Sequence, residues 1–215
     1  MTSISKTKQT RQQILDTGRL LVLRQGFVGV GLKAILDACH VPKGSFYHYF
    51  ASKEQFGCEL LADYVNEYQQ RLDTLLSAES GSGRERLMRY WTAWIDDPLL
   101  GGWAEHCLVV KLAAEVADLS EAMRRTLCDG VSHLVARIAE TVGEGQADGS
   151  LRLSLPPAET AQTLYQLWLG AALLSKLGKD KAPLYQALIT TELLLPPAGG
   201  LKDAEKVSGV SLSSF

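Results

Sequence analysis

A chain of 215 residues that is 46% apolar, with a net charge of −2, can build a sizeable core in one large domain or in a small domain joined to a larger one. No apolar run reaches the roughly eighteen residues that span a bilayer, and residues 1–25 lack the compact apolar block of a secretory signal, so a cytoplasmic, membrane-free protein is expected. The charge is uneven: residues 1–53 hold eight Lys or Arg against two Asp, while the remainder holds 14 basic and 22 acidic residues, the pattern of a polyanion-binding head on a non-binding body.

Apolar residues recur at helical spacing throughout and no alternating run reads as a strand, which predicts an all-α chain of about nine helices. The first covers about 8–25, with Ile14, Leu15, Leu20, Leu21 and Leu23 apolar and Gly26 ending it. A short helix over about 32–39 turns Leu32, Ile35 and Leu36 inward, and Pro42 opens a third, where a missing N–H costs nothing. Ser52 and Gln55 read as a capping box at the head of a long helix ending near 77. The small polar residues 77–83 break the chain before a helix over about 84–96, which Asp97-Pro98 stops. After Gly101-Gly102 a shorter helix begins near His106. Ser120 then caps a helix reaching about Val142, with the glycine-rich 143–149 ending it. The last two helices occupy about 157–177 and 183–195, and the Pro-, Gly- and Ser-rich 196–215 reads as a flexible tail.

Two short helices joined by a tight turn fit a helix-turn-helix. On the second, Val41 and Phe46 pack inward and Phe50 locks the helix to the next one. Lys43, Ser45, Tyr47 and His48 form the outer face, and Gly44 leaves room for close approach to a sugar–phosphate chain. An aromatic packing helix would explain Phe46 and Phe50 but not Lys43, Tyr47 and His48 on the opposite side.

Gly26-Phe27, Ile35, Ala38, the run from Val41-Pro42-Lys43-Gly44 through Phe50, and Ser52-Lys53-Glu54 together resemble the signature of TetR-family repressors. The motif covers about residues 10–56; by length and helix order the resemblance extends over the chain. It implies a three-helix head over 1–52, an effector-sensing and dimerisation domain over 53–195, and a double-stranded DNA operator as partner. Carried over residue by residue, it places Lys43, Ser45, Tyr47 and His48 against bases and phosphates. Lys53, at a helix N-terminus, would grip a phosphate. Gly31 stands where the family often has a capping Ser or Thr, leaving only its backbone N–H for a phosphate. His40 replaces a usual turn glycine, so a left-handed non-glycine residue is expected there.

The helix over 157–177 carries two apolar stripes, one through Ala161, Leu164, Trp168 and Ala172 and another through Leu167, Leu173, Leu174 and Leu177. A second stripe implies either a fully buried helix or a partner, and with 183–195 it predicts a four-helix homodimer interface. Cys107 sits at the start of a helix beside His106, with Lys111 and Lys176 as candidate cation neighbours. It is either a reactive thiol or a small buried hydrophobe. The stretch 106–116, with Asp118-Leu119-Ser120 and 164–171, resembles the TetR branch around the repressor of the N-ethylmaleimide reductase operon, which implies cysteine-based sensing of a small-molecule electrophile or oxidant at Cys107. The alternative is a non-covalent inducer in a pocket lined by Trp91, Trp94 and Trp103, aromatics that are otherwise core. The other cysteines (39, 58, 128) read as packed thiols, and no metal or cofactor is expected. An enzyme using Cys107 with His106 or His133 is the competing class. No glycine-rich phosphate loop or Ser/His/Asp signature supports it, and adjacent helical residues point apart, so a non-enzymatic regulator is expected.

Overall fold

The computed structural model describes residues 2–98 and 101–197. Among them are nine α-helices: α1 Thr2–Gln25, α2 Leu32–Cys39, α3 Lys43–Tyr49, α4 Lys53–Leu75, α5 Gly83–Ile95, α6 Leu108–Leu119, α7 Glu121–Ala147, α8 Pro157–Gly178 and α9 Ala182–Leu194. A 3-10 turn covers Ala78–Ser80, and an isolated bridge joins Leu151 to Pro197 without making a sheet. The all-α reading with nine helices is what the periodicity predicts. No described helix is long and apolar enough to cross a membrane. Beyond Pro197, the tail expected over 196–215 lies outside the described residues.

The chain divides into two compact units, the first holding residues up to Arg71 together with 106–134 and the second 72–105 together with the chain from 135 on. The first unit therefore includes α6 as well as the segment 1–52. Its core joins Ile14, Leu15 and Val22 of α1, Ile35 and Leu36 of α2, Phe46 and Phe50 around α3, Phe56 and Leu60 of α4, and Leu108, Leu112 and Val116 of α6. The α6 residues recur every four positions, so one stripe of that helix is part of the same core as the helix-turn-helix. Gly26 takes φ +80 directly after α1, a conformation that costs glycine little.

In the second unit the core is aromatic. Trp91 stacks on Trp168 at 5.1 Å between centroids and 13° between planes, with Tyr90, Trp94, Trp103 and Tyr165 edge-on or tilted around them. The start of α5 is capped twice. Ser82 and Glu85 form a capping box, and the turn after α7 supplies Asp148 and Ser150 as acceptors for the N–H groups of Gly83 and Arg84 at 2.7 and 3.1 Å.

Two boundaries differ most from expectation: α1 begins at Thr2 instead of near residue 8, and α7 ends later than expected. α7 continues through Gly143 and Gly145 to Ala147 instead of stopping near Val142. A Cβ on Gly83 would fall on the backbone of Gly145, so the start of α5 crosses α7 at a distance that requires glycine at 83, while a Cβ on Gly145 would meet the Leu151 side chain. Gly83→Ala is expected to cost about 1–3 kcal/mol through this backbone clash, measured as a lowered midpoint in thermal unfolding.

Candidate functional site

α2 and α3 are joined by a tight Schellman-type turn. The N–H of His40 donates to the Asp37 carbonyl at 3.3 Å and that of Val41 to Leu36 at 3.0 Å, with His40 left-handed at φ 55. This is the non-glycine turn residue the sequence implies. α3 then divides into two faces. Phe46 is fully buried and contacts Phe50 at 5.2 Å and Phe56 at 5.7 Å between centroids. Lys43, Gly44, Tyr47 and His48 are exposed and Ser45 half-buried. On this outer side the Tyr47 ring stands edge-on to Phe46 at 5.5 Å and the His48 ring edge-on to Tyr49 at 5.2 Å between centroids. Gly31 is the N-cap residue of α2; it is exposed and has no side-chain cap.

Lys53 is half-buried and engaged within the protein. Its ammonium donates to the Phe27 carbonyl at 2.9 Å and lies 4.8 Å from the Phe27 ring centroid. Burial lowers its pKa, partly offset by the negative charge of Glu115.

Cys107 is 3% exposed and is itself the N-cap of α6, its Sγ accepting the N–H of Val110 at 3.5 Å. The next residue, Leu108, donates its N–H to the Tyr64 hydroxyl of α4 at 3.3 Å. Lys111 is on α6, but its ammonium donates to the Arg24 carbonyl at the end of α1, 3.3 Å away. Lys176 belongs to the second unit, where it lines a pocket of about 330 Å³ with Ala104, Glu105, Ser175, Lys181 and Leu184. Among the other thiols, burial raises the pKa of Cys39, and burial with the nearby Glu54 raises that of Cys58, so both hold less thiolate at neutral pH. Cys128 is exposed.

Trp91, Trp94 and Trp103 are buried; Trp91 and Trp94 are in ring contact at 5.9 Å, and Trp103 stands edge-on to Tyr90 at 5.7 Å between centroids. The indole N–H of Trp103 donates to Asp97 at 2.8 Å and that of Trp168 to Thr191 at 2.9 Å, whereas those of Trp91 and Trp94 have no partner among the described residues. α8 and α9 pack together, and their remaining faces expose Leu173, Leu174, Leu177, Tyr185, Ile189 and Leu193. A cluster of Asp16, Asp63 and Glu67 is bracketed by Gln12 and Arg19, which supply donors and a counter-charge.

Sequence reasoning missed Glu115. Its carboxylate, on α6, accepts the N–H groups of Phe27 at 3.1 Å and Val28 at 2.5 Å, in the segment that leads into α2. A lone glutamate on a half-apolar helix carries no local signal for a partner almost ninety residues away.

Two family models match the chain: "Bacterial regulatory proteins, tetR family" over residues 14–56, and "Tetracyclin repressor-like, C-terminal domain" over 83–190. The chain is 41% identical over 179 residues to the HTH-type transcriptional repressor NemR of Escherichia coli (strain K12), covering 83% of this chain and 90% of that protein. It is 34% identical to the HTH-type transcriptional repressor DhaR of Mycobacterium sp. (strain GP1), covering 86% and 92%. The crystal structure of the reduced form of E. coli NemR superposes with a TM-score of 0.82 at 40% identity, covering 88% of this chain and 99% of that one. With both halves of the fold matched and relatives aligned over most of their length, the chain belongs to the TetR family of bacterial transcriptional regulators.

Proposed function

We propose that the protein is a transcriptional repressor that binds a near-palindromic double-stranded operator as a homodimer and is released when a small electrophile or oxidant modifies Cys107. DNA reading belongs to residues 1–52, through the outer face of α3 (Lys43, Gly44, Ser45, Tyr47 and His48) with Gly31 toward a phosphate, and Lys53, at the head of the next helix, turns the donors not used on the Phe27 carbonyl toward a phosphate as well. Sensing and dimerisation belong to 53–195. The repressors NemR and DhaR, which it resembles over most of its length, support the direction of regulation.

One observation carries the sensing part: the nearly covered sulfur of Cys107 caps a helix whose inner stripe shares a core with Phe46 and Phe50. An activated alkene such as N-ethylmaleimide reacts by forming a bond from Sγ to one alkene carbon, while the other carbon takes up the proton that the thiol gives up. The product must house an extra ring where the sulfur now sits 3% exposed, and forcing extra volume into a packed site costs about 1–3 kcal/mol. That cost releases DNA only as far as it differs between the operator-bound and free conformations, and about 1.4 kcal/mol of difference is tenfold in affinity.

Operator affinity for the DNA upstream of the protein's own gene, measured with and without N-ethylmaleimide, tests this. Wild type is expected to lose at least about tenfold in affinity, and Cys107→Ser, which retains Cys39, Cys58 and Cys128, to lose none. Equal loss in both proteins refutes the assignment. A non-covalent inducer is a second reading, favoured by the 330 Å³ pocket beside Ser175 and Lys176, where the buried Ser175 hydroxyl has no partner. The tryptophans form a packed core and do not line that pocket.

A further inference from the structure

The peptide of Phe27 is held from both sides by opposite charges. Glu115 of α6 accepts its N–H at 3.1 Å, together with that of Val28 at 2.5 Å, and Lys53 of α4 donates to its carbonyl at 2.9 Å. One turn earlier on α6, Lys111 takes the Arg24 carbonyl, a terminal acceptor left without a helical partner at the end of α1. At the other end of the helix, Ser120 donates to Glu54 of α4 at 2.5 Å. α6 therefore contacts the head and the start of α4 through polar groups along its length as well as through its apolar stripe, and all of these residues lie in the first compact unit.

The contacts with 26–28 are unlike the others because of what they hold. Gly26 to Gly31 is the connection into α2, and it has no regular structure of its own. Its first two amide donors after Gly26 are satisfied by a single carboxylate, in charge-assisted bonds that are stronger than neutral ones. If α6 shifts or turns about its axis, two outcomes are open to Glu115. It can release the N–H groups of Phe27 and Val28, or it can carry the connection, and with it α2, along. Release is the costlier course, because it gives up two charge-assisted bonds and strands the part-buried Phe27 donor, while the exposed Val28 donor passes to water.

We infer that Glu115 is a positioning residue that ties α6 to the entry of the helix-turn-helix, so that it sets how strongly a change at Cys107 alters operator affinity. The inference rests on the reading of Cys107 given above. Glu115 touches neither the thiol nor the face of α3 assigned to DNA; it acts through Phe27 and Val28.

The test uses the full-length protein as wild type, Glu115→Gln and Glu115→Asp. Operator affinity is measured before and after reaction with N-ethylmaleimide, and amide hydrogen exchange is followed over 26–31. Gln has one acceptor oxygen in place of two and no charge; Asp keeps both oxygens on a shorter stem. The ratio of unmodified to modified affinity is expected to shrink at least about threefold in Glu115→Gln and to recover most of its size in Glu115→Asp. Exchange at Phe27 and Val28 is expected to rise in Glu115→Gln without any modification. A residue that merely stabilised the head would lower both affinities alike and leave the ratio alone, so an unchanged ratio in Glu115→Gln overturns the inference. If N-ethylmaleimide has no effect on wild type, the reading of Cys107 has failed separately. Glu115 is then judged by the unmodified proteins: faster exchange over 26–31 with weaker operator binding supports the tie, and no change in either overturns it. Should Glu115→Gln fold poorly, Glu115→Asp alone gives the same two readouts at smaller amplitude.

Discussion

Leu177→Glu combined with Leu193→Glu is expected to yield a folded monomer that binds its operator at least about 100-fold more weakly than wild type. These are the most exposed leucines of the α8–α9 pair, at 80% and 76%, and Leu173, Leu174, Tyr185 and Ile189 lie exposed on the same two helices. The opposite side of α8 is spent on the internal core through Leu164, Trp168 and Ala172. An apolar surface of that size, confined to two adjoining helices, is the mark of an interface. Fully burying one leucine side chain contributes about 1.5–3 kcal/mol. Two positions in each of two protomers therefore account for several kcal/mol of association, and four carboxylates brought together in the same place would add a desolvation cost. Loss of the dimer removes the second half-site, whose binding in the dimer is effectively intramolecular. Sedimentation analysis alongside operator titration separates the outcomes. A monomer with wild-type affinity contradicts the homodimer proposal, and a stable dimer carrying both substitutions places the interface elsewhere.

The parts of the fold that the sequence makes legible are those whose cause lies within a turn or two of chain. α2 spans the residues expected for it because Leu32, Ile35 and Leu36 make one stripe and His40 can close a left-handed turn; nothing distant is needed. α3 follows for the same reason, with Pro42 before it and Phe46 on its inner side. The end of α7 was not legible. Gly143 and Gly145 look like terminators until α5, about sixty residues earlier, is seen packed against this stretch of α7 with Gly83 on the backbone of Gly145. Lys111 and Lys53 show the same limit. Both read as cations available to a thiolate or a phosphate, and both have backbone carbonyls from α1 or the segment after it as partners, Arg24 for one and Phe27 for the other. A cation's partner depends on which carbonyl the tertiary fold leaves open nearby, and neither composition nor helical spacing carries that information. The tryptophans are an intermediate case. Their spacing places Trp91 and Trp94 on α5, but only the packed structure shows Trp168 stacked against Trp91.

The two faces of α3 make opposite predictions within seven residues. Phe46→Ala is expected to destabilise the head by about 3–5 kcal/mol, because a fully buried ring is removed from contact with Phe50 and Phe56 and leaves a cavity. Its operator binding would fail together with its thermal stability. Lys43→Ala with Tyr47→Ala removes two exposed side chains, of which the Tyr47 ring also stands edge-on to Phe46, and is expected to lower the melting temperature far less than Phe46→Ala does. Its main effect falls on DNA. A base or phosphate contact is worth roughly 1–3 kcal/mol, and a dimer makes each contact twice, so the double variant should lose at least about 100-fold in affinity. The lysine has a second signature: each phosphate neutralised contributes about 0.9 to the slope of log affinity against log salt, so removing Lys43 from both protomers should flatten that slope by nearly two. Weakened binding with an unaltered salt slope would place Lys43 away from the phosphates and leave recognition to Tyr47. Wild-type affinity and slope in a folded double variant would mean that α3 does not face DNA at all, whatever Phe46→Ala does to the fold.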